Sequence, residues 1–304
     1  MKKILITGAG GFLGKYVTEQ FALSGQYEVY AVISARGGVK RSVEFPAGVI
    51  VKKADLLHEE ETADLITEVM PDVLCHLAWS LEGTDYRKSS QNMDWLAASI
   101  ILLKHFINAE GKQFLFAGSS AEYGNGNPGI AENDRLEELS MYGLAKKLFV
   151  QAAECCCRKN NVLFTCARYF SIYGPGDDKK ASAIPAAIQT LMEGKKFICK
   201  APCNIWDFVY VEDCAKAAFQ LVERECAGCY NVASGRPQRM KDVFRIISEI
   251  LQCEGLVEYN ADSTALSLTA DTSRLREAVG NVCSTPFREG LEKTVVWWKH
   301  RYLD

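Results

Sequence analysis

Between Lys3 and Gly14 the chain reads Lys3-Ile4-Leu5-Ile6-Thr7-Gly8-Ala9-Gly10-Gly11-Phe12-Leu13-Gly14, a short apolar strand running straight into a glycine-studded turn and then a helix. Glycine lacks a Cβ, so such a turn can take positive φ and bring backbone N–H groups close to an anion, while the helix presents its partially positive end. Gly8, Gly11 and Gly14 are spaced G-x-x-G-x-x-G, and Leu13 stands where G-x-G-x-x-G would carry its third glycine. Coming directly after the first strand, this turn predicts a cradle for the pyrophosphate of a dinucleotide.

Downstream, apolar runs alternate with longer amphipathic stretches. Strands are predicted near 3–7, 28–33, 49–51, 73–77, 113–117 and 162–169, and helices near 12–24, 58–69, 90–109 and 141–159. That alternation implies an α/β fold of the Rossmann type, a doubly wound parallel sheet wrapped by helices on both faces, which binds ligands beyond the carboxyl ends of its strands. After about residue 170 the pattern loosens into Gly174-Pro175-Gly176, a helix near 182–193, a strand near 205–211, and helices near 213–224, 240–251 and 287–300. We expect a dinucleotide-binding domain over 1–170 and a smaller, interleaved substrate-binding lobe over 171–304, with 205–224 returning to the first domain.

With 304 residues, 48% of them hydrophobic, the chain can bury a large core, and its net charge of −3 gives no bulk attraction for nucleic acid or an anionic membrane. No apolar run approaches the length that crosses a bilayer, and the apolar N-terminus reads as a strand instead of an export signal, so a cytoplasmic protein is expected. The twelve cysteines are then expected as reduced thiols. Cys226-Ala-Gly-Cys229 has no second pair at finger-like spacing, and no metal site is expected.

Two segments could carry chemistry. Tyr142-Gly143-Leu144-Ala145-Lys146 sets a phenol and an ammonium at i and i+4, on one helix face, where the cation would stabilise phenolate and make a usable general acid or base. Upstream, the apolar strand Gln113-Phe114-Leu115-Phe116-Ala117 ends in Gly118-Ser119-Ser120-Ala121-Glu122-Tyr123-Gly124, which puts hydroxyls at the carboxyl end of a strand, within reach of a substrate carbonyl.

With these pieces in order the chain resembles the extended short-chain dehydrogenase/reductase family, in particular its nucleotide-sugar epimerases, dehydratases and reductases. The likeness runs through the glycine turn, Asp55-Leu56, His76-Leu77-Ala78, the Ser-Ser-x-x-Tyr-Gly stretch, Tyr142-x-x-x-Lys146, Arg168-Tyr169-Phe170-Ser171-Ile172-Tyr173-Gly174-Pro175, Trp206-Asp207-Phe208-Val209-Tyr210-Val211-Glu212-Asp213 and Tyr230-Asn231-Val232-Ala233. The resemblance implies Ser119 as the catalytic hydroxyl, with Ser120 as its fallback and a substrate neighbour. Tyr142 becomes the proton donor or acceptor, and Lys146 lowers its pKa and holds the nicotinamide ribose. Asp55 and Leu56 would flank the adenine, and Phe12, Leu13, Leu77, Ala78, Asn92 and Tyr169 would stand on the cofactor side. A homodimer is implied too, paired through 90–109 and 141–159, unless their apolar faces are buried against the sheet.

Departures from the family pattern sharpen the expectation. Where NAD-using members end their second strand with an aspartate, this chain has Val32-Ile33-Ser34-Ala35-Arg36, and Ser34 with Arg36 would receive a 2′-phosphate, favouring NADP over NAD. Dehydratases carry Asp-Glu directly after the catalytic hydroxyl, but here Ser120-Ala121 offers no carboxylate base. The Cys and His of double epimerases are Ala121 and Gly176. Ser171 and Trp206 stand where an Asn and an Arg commonly hold the sugar-nucleotide diphosphate, leaving Lys179, Lys180, Arg239 and Arg274 as candidates to compensate, while Trp206 either stacks on a base or fills core. The expected activity is NADP-dependent reduction of a nucleotide-linked 4-keto-6-deoxy sugar. A 4-epimerase with tightly bound NAD and a non-catalytic sensor or scaffold are the alternatives.

Overall fold

The computed structural model describes residues 1–35, 44–81, 83, 85–124, 128–134, 140–178, 182–261 and 265–303. Its first half builds β1 (Lys2–Thr7), α1 (Phe12–Ser24), β2 (Tyr27–Ser34), β3 (Ile50–Ala54), α2 (Glu59–Val69), β4 (Val73–His76), α3 (Gln91–Asn108), β5 (Gln113–Ser119), α4 (Met141–Lys159) and β6 (Leu163–Tyr169). There follow β7 (Ser171–Tyr173), α5 (Ala183–Met192), β8 (Phe197–Cys199), β9 (Ile205–Trp206), β10 (Phe208–Tyr210), α6 (Val211–Glu223) and β11 (Gly228–Val232). The chain closes with β12 (Gln238–Arg239), α7 (Met240–Leu251), β13 (Val257–Tyr259), β14 (Ser267–Leu268), α8 (Ser273–Val279) and α9 (Phe287–Leu303).

Seven strands form one parallel sheet in the order β11-β6-β5-β4-β1-β2-β3, so the direction of winding reverses between β1 and β4. A sheet covered on both faces must be apolar on both, and alternate residues of each strand divide between two cores. Ile4, Ile6, Leu115 and Ala117 pack toward α1 and α6, whereas Leu5, Phe114, Phe116 and Phe164 pack toward α2, α3 and α4. The doubly wound α/β architecture expected from the alternation is the one observed.

Beyond β6 a third core lies among α5, α7 and α9, holding Tyr173, Ile188, Phe208, Phe244 and Trp298. Two stretches of this half serve the main sheet instead: α6 packs on α1, and β11 extends the sheet beyond β6, pairing Val232 with Tyr169. The single strand expected near 205–211 is two. At Asp207 the chain passes from β9, paired with β12 and β14, to β10, paired with β7, and its carboxylate accepts the Ser234 and Gly235 N–H groups at 2.9 and 3.0 Å and the Ser234 hydroxyl at 2.6 Å. All twelve cysteines are free thiols. Among the described residues no helix is long and apolar enough to cross a membrane.

Candidate active site

The glycine turn sits at the reversal between β1 and β4, and its glycines are required by space. Gly8 has φ of 70°, and a Cβ there would lie 2.7 Å from the backbone nitrogen of Ala78. A Cβ on Gly14 would stand 2.0 Å from the Gly8 carbonyl oxygen, while one on Gly11 would meet that oxygen at 3.2 Å. The turn is thereby pressed against the loop leaving β4, whose Leu77 and Ala78 N–H groups donate to the Thr7 carbonyl and hydroxyl at 3.2 and 3.3 Å.

Across that reversal, α4 brings Tyr142 and Lys146 under the end of β5. The Tyr142 phenol lies near enough to the Ser119 side chain to feel it electrostatically. Burial pushes its pKa well above the usual phenol range, the neighbouring Tyr86 adds to this, and the Ser119 side chain works in the opposite direction. Lys146, 2% exposed, donates to the Ala117 carbonyl at 2.8 Å, and its Nζ lies 4.1 Å from the ring centre of Trp79 and 4.4 Å from that of Phe116. Burial holds its pKa down at about 7, against a partial upward pull from Glu122. Lys146 was expected to lower the phenol. In the ligand-free chain burial dominates both groups, so the phenol is a fully protonated donor and the amine titrates near neutrality.

Ser119 ends β5 and opens a 3₁₀ turn, Ser120–Tyr123. Its hydroxyl accepts the Ala121 N–H at 3.1 Å, and its own N–H donates to Glu122 Oε1 at 2.8 Å. A phenol, a hydroxyl and an amine are therefore gathered at the carboxyl ends of the strands, as the glycine turn is, a set suited to moving a proton on and off a carbonyl oxygen.

The family model described as "NAD dependent epimerase/dehydratase family" matches residues 4–233, spanning both the cradle and this cluster. The chain belongs to that family. It is an enzyme of the extended short-chain dehydrogenase/reductase type. The ADP-L-glycero-D-manno-heptose-6-epimerase of Thiobacillus denitrificans is 26% identical over 90% of this chain and 92% of its own. Among solved structures, the UDP-glucose 4-epimerase of Thermotoga maritima superposes with a TM-score of 0.87 at 22% identity, covering 99% of this chain and 100% of that one. The UDP-N-acetylglucosamine 4-epimerase of Methanobrevibacter ruminantium M1 does so with a TM-score of 0.85 at 25% identity, covering 99% of each.

The cradle of this epimerase/dehydratase family member fits a dinucleotide diphosphate. Helix α1 starts at Gly11 with no side-chain cap and no acidic residue in its first turn, which keeps its first N–H donors and its positive end for an anion. Tyr16 donates to the Pro175 carbonyl at 2.8 Å, and Phe12 lies beside Gly176, tying that first turn to the loop after β7. On the adenosine side, Val32, Ile33, Ser34 and Ala35 carry no carboxylate, and Ser34 is exposed at the end of β2. Buried Asp55 accepts the Leu57 N–H at 3.1 Å and donates its own N–H to Glu61 at 2.7 Å, shaping the turn into α2, while Leu56 is buried beside it. Arg36, Lys179 and Lys180 lie outside the described residues.

Several expected contacts are made elsewhere. The amide of Asn92, 2% exposed, accepts the Trp79 indole N–H at 2.9 Å and donates to the Tyr86 and Ser89 carbonyls at 2.7 and 2.9 Å, so it holds the loop after β4. Tyr169 packs into the core beneath α1 and α6, on the sheet face opposite Tyr142, and its buried hydroxyl has no hydrogen-bond partner among the described residues. Arg274 stacks on Tyr230 at 4.8 Å and reaches the Ala227 carbonyl, at the amino end of β11, roughly 15 Å of strand from the site. Arg239 is exposed on β12, and Trp206 is half-buried between the lobe core and the cluster holding Tyr123 and Phe170. Ser171 opens β7, its N–H on the Asp207 carbonyl at 3.1 Å, and Ser120 is half-buried in the 3₁₀ turn. Three neighbours of the cluster were not expected. Trp79 covers Lys146, and its position straight after Leu77-Ala78 was the available signal. Tyr86 meets Tyr142 edge-on with ring centres 5.4 Å apart, and Glu122 lies fully buried under Ser119.

Proposed function

We propose that this protein reduces the 4-keto group of a nucleotide-linked 4-keto-6-deoxy sugar, using NADP. The observation that carries the reading is the grouping of Tyr142, Ser119 and Lys146 at the end of β5, with the phenol held protonated by burial. The bound dinucleotide would supply the hydride that the ring carbonyl carbon accepts. Tyr142 gives its proton to the carbonyl oxygen as negative charge develops there, and Ser119 donates a hydrogen bond to the same atom. Lys146 stabilises the phenolate that remains until solvent reprotonates it.

Ser34 supports NADP, since an exposed serine at the end of β2 leaves room for a 2′-phosphate that a carboxylate there would repel. Ser120 and Ala121 supply no carboxylate for removing water, which argues against dehydration. We assign 1–170 to dinucleotide binding and 171–304 mainly to the substrate, with 205–224 returning to the first domain. A homodimer through α3 and α4 is supported by their mutual packing and by the exposed Met93, Ile100, Leu144 and Leu148.

A second reading, 4-epimerisation with tightly held NAD, is supported by the likeness to the UDP-glucose and UDP-N-acetylglucosamine 4-epimerases. The experiment follows NADPH and NADH consumption with dTDP-4-keto-6-deoxyglucose, alongside UDP-glucose with no reductant added. Reduction with a preference for NADPH supports the first reading. Interconversion of UDP-glucose by protein purified with bound NAD overturns it. Tyr142→Phe should bind cofactor as before and lose turnover at least a thousandfold.

A further inference from the structure

Glu122, Arg168, Tyr123 and Asn231 form a buried polar network that the reaction above does not use; they are 0, 6, 3 and 0% exposed. Glu122 Oε2 accepts the Arg168 Nε at 2.8 Å, and the Arg168 guanidinium also donates to the Tyr123 hydroxyl at 2.9 Å and the Glu132 carbonyl at 2.8 Å. Tyr123 in turn donates to Asn231 at 2.6 Å, so one network ties the 3₁₀ turn after β5 to β6 and β11. The other oxygen of Glu122 takes the backbone N–H of Ser119.

We propose that Glu122, clamped by Arg168, is the positioning residue of the site: it fixes the backbone of Ser119 so that the serine hydroxyl stays on the Tyr142 side of the turn. This inference rests on the reading of Ser119 and Tyr142 given above. The carboxylate reaches its place only because residue 118 is glycine; a Cβ there would lie 2.7 Å from Glu122 Oε1 and 2.6 Å from the Cys166 sulfur. Stability does not account for the arrangement. A buried ion pair is commonly matched or bettered by apolar side chains of similar volume, since both charges must be stripped of water. What an apolar pair cannot do is accept the Ser119 N–H at the point where β5 stops pairing and the chain turns.

The charged and titratable groups facing Glu122 are Arg168 and Cys166 from β6, Lys146 and Tyr142 from α4, and Tyr123 on its own turn. Arg168 outweighs the others by direct contact, so the two residues are best changed together. Glu122→Gln with Arg168→Met removes both charges and keeps an acceptor for Ser119. Glu122→Leu with Arg168→Met removes both charges and the acceptor, in nearly the same volume.

Both double variants are made in the full chain, with Ser119→Ala beside them, and three quantities are measured. These are thermal stability, exchange of the Ser119 amide by NMR, and kcat and KM for dTDP-4-keto-6-deoxyglucose with NADPH. The expected result is two folded proteins with similar melting temperatures. The Gln/Met form keeps the Ser119 amide protected and loses less than tenfold in kcat, whereas the Leu/Met form exposes that amide and loses at least a hundredfold in kcat with KM nearly unchanged. Adding Ser119→Ala to the Leu/Met form should cost nothing more than Ser119→Ala alone. A Leu/Met form as active and as protected as Gln/Met overturns the proposal. Should the wild-type chain turn over none of this substrate, the functional reading fails, and amide exchange still decides whether Glu122 holds Ser119.

Discussion

Replacing Lys146 by methionine should remove activity and make the ligand-free fold more stable, and both effects follow from the same buried amine. The native pKa of about 7 against 10.5 for a solvated lysine means that below pH 7 the fold carries a burial cost of about 5 kcal/mol, at 1.36 kcal/mol per pH unit. A lysine whose pKa is lowered on folding binds more protons in the unfolded chain than in the native one between about pH 7 and 10.5. Stability therefore rises with pH across that window, and the Lys146 contribution should improve by about 2 kcal/mol from pH 7 to pH 9. Methionine fills the space of the stem but leaves the Ala117 carbonyl without its donor, a loss of about 1–3 kcal/mol, and gives up the contact with Trp79. The net gain for Lys146→Met is then about 2 kcal/mol at pH 7, or roughly 4 °C in melting temperature, fading to nothing near pH 9. Urea and thermal unfolding of the two cofactor-free proteins at pH 7, 8 and 9 reads both numbers. A variant less stable at pH 7, or a difference that does not shrink as the pH rises, would show that the amine is not held against its own charge.

Gly14→Ala sets a Cβ 2.0 Å from a backbone oxygen that cannot move aside, so it should destabilise the chain by about 3 kcal/mol or more and abolish NADPH binding; Gly11→Ala, at 3.2 Å, should be milder by both thermal melting and NADPH fluorescence titration. Trp79→Ala admits water to Lys146, whose pKa should rise from about 7 by at least one pH unit in an NMR titration of the lysine Cε resonances. Leu148→Glu, on the exposed face of α4, should give a monomer by light scattering without unfolding the chain; an unchanged mass would remove α4 from the subunit contact.

The glycine cradle and the Tyr142–Lys146 face were legible because both rest on local geometry: the first on a turn that admits no Cβ, the second on helical spacing. The sheet was legible because strands buried on both faces, such as Leu5 between Ile4 and Ile6, are apolar without interruption. What stayed hidden depends on partners distant in the chain. Nothing near Asp207 says that the chain will exchange β12 and β14 for β7 there, or that Ser234 and Gly235 will hold its carboxylate. Tyr86 reaches Tyr142 because its loop is pinned by the Tyr142 N–H on the Arg87 carbonyl at 3.0 Å and by Asn92. Glu122 stands in a stretch whose hydroxyls drew attention, yet its meaning depends on Arg168, 46 positions later. The same separation explains why the phenol and amine could be found but their protonation states could not. The i, i+4 spacing brings Lys146 to Tyr142, but burial, set by Trp79, Phe116 and the end of β5, decides that the amine yields its proton near neutrality and the phenol keeps its own. Pairing of residues was local, whereas the direction in which a proton moves is set by the water excluded around them.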